Sequence, residues 1–411
     1  MKRGVVRCLG VVACVVAGCS LGPTALRSDR ANYNIAVQRS ANEQILLNLV
    51  RLKYREPTSF LEIGSISASF NYSVDVAGGG TFPRSGANVG NVSGSGRYAE
   101  NPTITYSPLQ GEQFAKRLMA ELDMKTFILM ERAGWNISRL MRMCVEQFGD
   151  LRNDPSLPPA AGETESGYSR FVRMTDLLAR LKKDGVLRFG LEPSRGMKVA
   201  GPVGSEGVKV GDYISAHKDG YEIVQGSPGK IDIMKSGPPS LVIEGEPSAK
   251  DREELRKCLS CKAESLRWET VVTGSVVFYL PGGKGEERME VPLRLRSVLD
   301  VLFYLAQGIE VPSSHARKGY VKAHWHGEKG GKGTDWQVWR ESTKDLLDVR
   351  CSLLPPSQAF VSIPYRGHWF YLDDGDVRSK DTFALLSLVF SLQAGEMPTT
   401  LPILTIPVSG R

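Results

Sequence analysis

Residues 65–76 alternate between polar and apolar side chains without exception, and this period of two is the strongest structural constraint in the sequence. The apolar positions are Ile66, Ala68, Phe70, Tyr72, Val74 and Val76, and the polar positions between them are Ser65, Ser67, Ser69, Asn71, Ser73 and Asp75. Such alternation predicts a β-strand with one buried face. A glycine-rich stretch over 78–96 and a second β-prone run over 103–106 follow. We therefore predict a long β-hairpin over 64–106 with a glycine-rich tip.

Helical periodicity flanks this hairpin on both sides. Before it, apolar residues at helical spacing over 32–54 predict an amphipathic helix that packs on a core. Three further helices are predicted after it, over about 110–122, 124–133 and 137–149, the last with Asn136 as its N-cap. Residues 154–167 contain three prolines and predict a linker. We therefore expect a helical domain with a β-hairpin over 32–153.

The remainder of the chain, over 168–411, mixes helices and strands without regular alternation. Helices are predicted over 168–183, 248–259, 297–307 and 379–393, the last two with Ser297 and Ser379 as N-caps. Strands are predicted over 213–216, 221–224, 230–234, 241–244, 268–280, 288–295 and 403–408, with several short ones over 336–372. This order favours an α+β fold over a doubly wound one. The predicted class is a helical N-terminal region with a long β-hairpin, then a mixed α+β domain with antiparallel strands.

The N-terminus has the composition of a targeting segment. Three basic side chains precede a short apolar run over 9–16, which ends in Ala17-Gly18-Cys19. The run is far shorter than the roughly 20 residues of a membrane-spanning helix, so we predict a cleaved signal peptide over 1–18. The order of basic, apolar and small residues before a cysteine resembles the signal of bacterial lipoproteins.

That resemblance implies that Cys19 becomes the N-terminal residue and carries acyl chains, with 19–31 as lipid anchor and tether. Each buried methylene contributes about 0.8 kcal/mol, and two or more chains give stable attachment. Ser20 stands where aspartate marks retention in the inner membrane in enteric-type lipoproteins, so it implies sorting to the outer membrane. The expected location is the bacterial outer membrane, lipid-anchored and facing the periplasm.

Charge and cysteine content restrict the partners and the chemistry. Cleavage removes three basic residues and no acidic one, so the formal net charge falls from +7 to +4, which does not indicate nucleic-acid binding. Outside the signal and the lipidated position, the cysteines are Cys144, Cys258, Cys261 and Cys351. Because disulfides persist in the periplasm, Cys258 and Cys261 are the candidate disulfide. A redox role is the alternative, although the predicted helix places this pair at its C-terminal end, where the helix dipole does not favour a thiolate.

Other polar motifs do not complete a site. His324 and His326 could chelate a metal, but no acidic or cysteine cluster stands nearby, so an exposed loop is predicted. His368 and the acidic run over 373–376 lack the spacing of a calcium loop and predict a turn before the last helix. The sequence has no G-x-S-x-G, H-E-x-x-H, Walker A or Rossmann glycine pattern. We therefore predict no metal, no cofactor and no catalytic residues.

Four segments resemble a set of bacterial envelope proteins without an assigned activity. They are NEQILLNLVRLKYREP (42–57), PTITYSPLQGEQF (102–114), FYLAQGIEVP (303–312) and HWFYLDDGD (368–376). The expected function is a periplasm-facing outer-membrane lipoprotein that acts as a binding or assembly component of the cell envelope. Its expected partners are proteins, and whether these include further copies of itself is open from the sequence. One alternative is an oligomeric outer-membrane pore or export component to which each subunit contributes the hairpin. The other is an envelope hydrolase.

Overall fold

A computed structural model describes residues 21–81, 89–159, 164–193, 197–219, 221–235, 239–259, 273–282, 285–321, 335–394 and 404–407. The fold is α+β with antiparallel strands, which confirms the predicted class.

The helices, in chain order, are α1 (Leu21–Lys53), α2 (Glu112–Met119), α3 (Met124–Arg132), α4 (Ile137–Cys144), α5 (Gly167–Lys183), α6 (Val210–Lys218), α7 (Ala249–Cys258), α8 (Val298–Gln307), α9 (Ser313–Arg317), α10 (Asp335–Thr343) and α11 (Val377–Ala394). The strands are β1 (Phe60–Thr81), β2 (Val89–Leu109), β3 (Val145–Phe148), β4 (Leu151–Arg152), β5 (Leu187–Pro193), β6 (Met197–Gly204), β7 (Tyr221–Gln225), β8 (Lys230–Lys235), β9 (Pro239–Gly245), β10 (Gly274–Gly282), β11 (Gly285–Leu295), β12 (Arg350–Ser352), β13 (Ala359–Tyr365), β14 (His368–Asp373) and β15 (Leu404–Pro407).

The chain divides into two compact units. The first consists of Met1–Gln44, Pro57–Ala115 and Gly395–Arg411, and the second of Ile45–Glu56 and Lys116–Ala394. The domain ranges expected from the sequence stay predictions.

In the first unit, β1 and β2 form one continuous antiparallel ribbon that contains the predicted hairpin and extends beyond it at both ends. The register runs from Phe60 opposite Leu109 to Thr81 opposite Val89. A bulge at Gly64 shifts the register once, as an extra residue in one strand does. Strand β15 pairs with the base of β2, so the sheet order is β1-β2-β15.

A six-stranded sheet forms the centre of the second unit, in the order β4-β3-β11-β10-β9-β5. Strands β9 and β10 are parallel, and the other neighbours are antiparallel. Consecutive side chains of β10, from Val276 to Phe278, are at most 2% exposed, so both faces of this strand are covered. Seven of the eight residues of α4 are buried, which makes this short helix part of the core.

Two three-stranded antiparallel sheets complete the second unit, in the orders β6-β8-β7 and β12-β14-β13. Local capping chemistry sets several helix ends as predicted. The Asn136 side chain accepts a hydrogen bond from the Arg139 amide at 3.2 Å. Ser297 and Asp300 form a reciprocal capping box at the start of α8.

Two predictions of strand are wrong, and both segments are helical. Residues 213–216 lie in α6, whose first turn is fixed by the Asp212 carboxylate, which accepts a hydrogen bond from the Lys209 amide at 2.8 Å. Residues 335–343, at the start of a region predicted as short strands, form α10. Short β-prone runs are ambiguous because a local cap or tertiary packing overrides propensity.

Two predicted helix boundaries are also wrong. The helix expected over 137–149 ends at Cys144, because β3 pairs with β11 from the next residue onward. The last helix begins at Val377 rather than after Ser379. Asp376 caps it, since its carboxylate accepts hydrogen bonds from the amide and the hydroxyl of Ser379 at 3.2 and 2.6 Å.

Candidate functional site

The outer part of the β1–β2 ribbon is the largest open strand edge among the described residues. Strand β1 pairs with β2 alone along its whole length, and β2 has a third strand only opposite residues 103–106. Beyond that base, the backbone N–H and C=O groups on both outer edges have no strand partner within the described part of the chain. Unpaired edges of this kind are templates for pairing with another chain.

At the base of the ribbon, a row of apolar side chains crosses the three strands, and Gln44 covers the edge of β1. Ile66, Ile104 and Ile406 share one row across the three strands. Ile66 and Ile104 are half-buried, whereas Ser65 and Ser67 are exposed. The side-chain amide of Gln44 pairs with the free edge of β1, because it donates to the Leu61 carbonyl at 3.0 Å and accepts from the Leu61 amide at 2.6 Å. The base is therefore closed by its own chain, whereas no strand of the described residues covers the edges of the outer ribbon.

Three of the four segments that resemble bacterial envelope proteins meet at the C-terminal end of α1 in the second unit. The Lys53 ammonium donates a hydrogen bond to the backbone carbonyl of Gln307. The guanidinium of Arg55 lies 4.7 Å from the centre of the Phe303 ring. The segments 42–57, 303–312 and 368–376 are therefore parts of one packed region, since Tyr54 also contacts the Phe370 ring.

An aromatic and imidazole cluster surrounds Tyr54. Its hydroxyl lies 2.7 Å from Nδ1 of His315, and the rings of His315 and His368 are 4.7 Å apart between centroids. Burial and the neighbouring His368 lower the pKa of His315. Arg366 lies over the Tyr54 ring at 5.4 Å, with its backbone at a φ of +48°. These contacts hold the end of α1 against the turn between β13 and β14.

Lys53 is a charged residue in an apolar environment. It is only 5% exposed. Burial lowers its pKa to about 7, and the positive charges of Arg55 and Arg340 add to this effect. The sequence contains a signal for this burial, because Lys53 follows Leu46, Leu49 and Val50 at helical spacing on the face that all three bury. A buried lysine at that position was not predicted.

Arg296 organises the centre of the second unit. Its guanidinium donates hydrogen bonds to the carbonyls of Arg142, Met143 and Asn153 at 3.3, 3.1 and 2.7 Å, and its backbone amide donates to the Cys144 carbonyl at 2.7 Å. Most of these acceptors are the terminal carbonyls of α4, which a helix leaves unsatisfied. The Tyr304 ring lies 3.8 Å from the guanidinium carbon. No sequence motif indicated this role.

The predicted site residues are only partly within the described structure. The Cys258 side chain is buried at the end of α7, and burial raises the pKa of its thiol. Cys261 lies outside the described residues, so the disulfide stays a prediction. Cys19, His324 and His326 also lie outside them.

The remaining polar motifs of the sequence lie within the described residues. The acidic run over 373–376 is the turn that precedes α11, as predicted. No group of three histidine, cysteine or acidic residues suited to a metal ion occurs in the described part of the chain.

Comparison with known proteins gives no relative. No protein-family model, no curated protein and no solved structure matches the chain. Within the described residues, no helix is both long enough and apolar enough to cross a membrane.

Proposed function

We propose that the protein is a lipoprotein of the bacterial outer membrane that faces the periplasm and acts as an assembly component of the cell envelope. Acylated Cys19 anchors the chain, and the β1–β2 ribbon provides the surface for self-association. The proposed location is supported by the N-terminal sequence, in which basic residues, a short apolar run and two small residues precede Cys19. The assembly role rests on the ribbon.

The single observation that carries the assembly role is the length of paired strand with open edges. Twenty-one pairs join β1 and β2, and among the described residues a third strand pairs only with the base. A two-stranded ribbon alone in water is marginally stable, because it buries little apolar surface. Pairing with ribbons of neighbouring subunits satisfies the open edges and covers the alternating apolar face.

Removing the outer ribbon is expected to abolish self-association while the rest of the protein stays folded. In the test variant, Asn-Gly replaces residues 68–102, so that the paired residues Ser67 and Thr103 close a two-residue turn. In the matched control, Asn-Gly replaces residues 78–92 and joins the paired residues Ala77 and Ser93, which keeps the alternating segment. The measurement is the native mass of the detergent-extracted proteins by light scattering.

We expect oligomers for the wild type and the control, and monomers for the test variant. A monomeric wild type would contradict the assembly role, and so would an unchanged oligomer of the test variant.

A pore is the second candidate function, and the length of the alternating segment favours it. Residues 65–76 have the alternation of a tilted membrane-spanning strand and are long enough for one, since such a strand needs roughly 9–11 residues. The register of β1 and β2 argues against a pore. It pairs Glu100 with Phe70 and Pro102 with Ala68, so an acidic residue and a proline occupy positions on the face that a pore requires to be apolar. Conductance recordings of the wild type, the control and the test variant in planar lipid bilayers distinguish a pore from an assembly component. A pore gives conductance steps with the wild type and the control but not with the test variant, whereas an assembly component without a pore gives none.

Lipid attachment is expected to depend on Cys19 alone. Cys19→Ser removes the thiol that is alkylated in the lipoprotein class, and a hydroxyl does not replace it. Cells labelled with a clickable palmitate analogue are expected to yield labelled wild type and unlabelled variant, with the variant no longer in the membrane fraction. Label on the variant, or none on the wild type, would refute the lipoprotein assignment.

A further inference from the structure

A cleft of about 350 Å³ lies in the second unit, beside the buried Arg296 centre. Its wall combines three aromatic rings with guanidinium groups and carboxylates, and these residues come from the β3–β4 segment, the end of β11, and helices α8 and α10. A cleft of this size is at the small end of the range for small-molecule sites. It plays no part in the assembly role proposed above.

The charges in the wall balance in sum, because the three guanidinium groups of Arg152, Arg294 and Arg296 stand against the three carboxylates of Glu146, Asp154 and Asp300. Arg294 lies 3.1 Å from a carboxylate oxygen of Glu146 and 3.4 Å from one of Glu121. The Asp300 carboxylate accepts a hydrogen bond from the Ser297 hydroxyl at 2.6 Å, and the Arg296 guanidinium is bound by backbone carbonyls. An anionic ligand would meet carboxylates and a cationic one would meet guanidinium groups. The cleft therefore favours an uncharged ligand that both donates and accepts hydrogen bonds.

The aromatic rings in the wall are held in fixed positions. Trp339 and Phe303 are half-buried residues that line the cleft. The Trp339 ring meets Tyr304 edge to face at 5.5 Å between centroids. Tyr304 is itself fixed, because its hydroxyl donates to the Asn153 side chain at 3.1 Å and its ring lies against Arg296. Such support preorganises the Trp339 ring for stacking against a ligand.

We propose that this cleft binds an uncharged pyranose saccharide. A pyranose has an apolar C–H face that stacks on an aromatic ring, and its hydroxyl groups donate and accept hydrogen bonds at once. The Trp339 ring provides the stacking surface. The exposed parts of the Glu146 carboxylate and the Arg294 guanidinium provide the acceptor and the donor for one pair of hydroxyl groups.

The test is calorimetric titration of the detergent-extracted wild type with two uncharged sugars, triacetylchitotriose and maltotriose. The zwitterionic peptide trialanine serves as the charged comparison. We expect saturable binding of at least one sugar at concentrations up to about 10 mM. Trp339→Ala is expected to raise the Kd at least about tenfold through loss of the stacking surface. Trp135→Ala, a change of another half-buried tryptophan that does not line the cleft, is expected to leave the Kd unchanged.

Glu146→Gln provides a second variant that does not depend on the packing of an aromatic ring. The Glu146 side chain is 43% exposed, so the fold tolerates the change. The expected effect is a higher Kd for the same sugar. Absence of saturable sugar binding by the wild type would overturn the proposal. So would equal Kd values for the wild type and a folded Trp339→Ala, or binding of trialanine without binding of either sugar.

Discussion

Replacing Arg296 with methionine is expected to lower the free energy of unfolding by about 4 kcal/mol, among the largest effects of a single substitution. Arg296 is 5% exposed, and its guanidinium donates to three backbone carbonyls, two of them in the last turn of α4. Methionine fills similar space but donates nothing. Hydrogen bonds from a charged donor contribute about 1.5–3 kcal/mol each, and buried carbonyls left without a donor are destabilising.

Urea denaturation followed by tryptophan fluorescence measures this loss. Arg288→Met is the matched control, because Arg288 pairs with Glu290 at the surface, where both side chains are nearly half exposed. That change is expected to cost less than about 0.5 kcal/mol. Arg296→Lys is expected to show most of the same loss in the free energy of unfolding. A lysine ammonium lacks the planar fork of donors with which the guanidinium reaches the three carbonyls. Stability of Arg296→Met within about 1 kcal/mol of the wild type would contradict a capping role for this side chain.

The parts of the fold that the sequence predicts well are those with a long, regular local pattern. The hairpin follows from twelve alternating residues, and the pairing of Ile66 with Ile104 in one row agrees with it. The start of α8 follows from Ser297 with Asp300 three residues later, which is sufficient to cap a helix without outside help.

The parts that the sequence does not predict depend on partners far along the chain. Residues 145–148 continue an apolar helical pattern, yet they become β3 because β11, about 150 residues later, offers an open edge. Residues 213–216 have strand propensity but follow a helix start set by Asp212. Local patterns do not encode such competition, so tertiary context decides it.

The central polar residues illustrate the same limit. Arg296 is one arginine among many in the sequence, and only the fold places the carbonyls of Met143 and Asn153 around it. Trp339 lies in a segment predicted as strand, so its position beside α8 could not be foreseen. Lys53 is different, because its place on the apolar face of α1 is visible in the sequence, although the carbonyl it contacts, that of Gln307, is 254 residues away.

Replacing Lys53 with methionine is expected to stabilise the protein by about 3 kcal/mol at pH 6, the opposite sign to the Arg296 change. The pKa of Lys53 is about 7 in the folded protein and 10.5 in an unfolded chain. Below pH 7 both states carry the proton, so the folded protein holds a buried ammonium at a cost of about 5 kcal/mol. Methionine removes that cost and forfeits one hydrogen bond to the Gln307 carbonyl, which is worth about 1–2 kcal/mol.

The pH dependence of the stability difference between Lys53→Met and the wild type shows whether the buried charge of Lys53 causes it. Between pH 7 and pH 10.5 the unfolded chain holds a proton that the folded protein has released, so the stability contributed by Lys53 rises with pH. The advantage of Lys53→Met is therefore expected to shrink across this range, to vanish at about pH 9 and to become a loss of about 1 kcal/mol at pH 10.5, where only the hydrogen bond to Gln307 still separates the two proteins. Urea denaturation of the wild type and the variant at pH 6, 8 and 10.5 gives the difference, in which all other titrating groups cancel. Lys125→Met, a change of an exposed lysine on α3, is the control and is expected to show no such trend. An advantage of Lys53→Met that is equal at pH 6 and pH 10.5 would show that packing, and not the buried charge, is responsible.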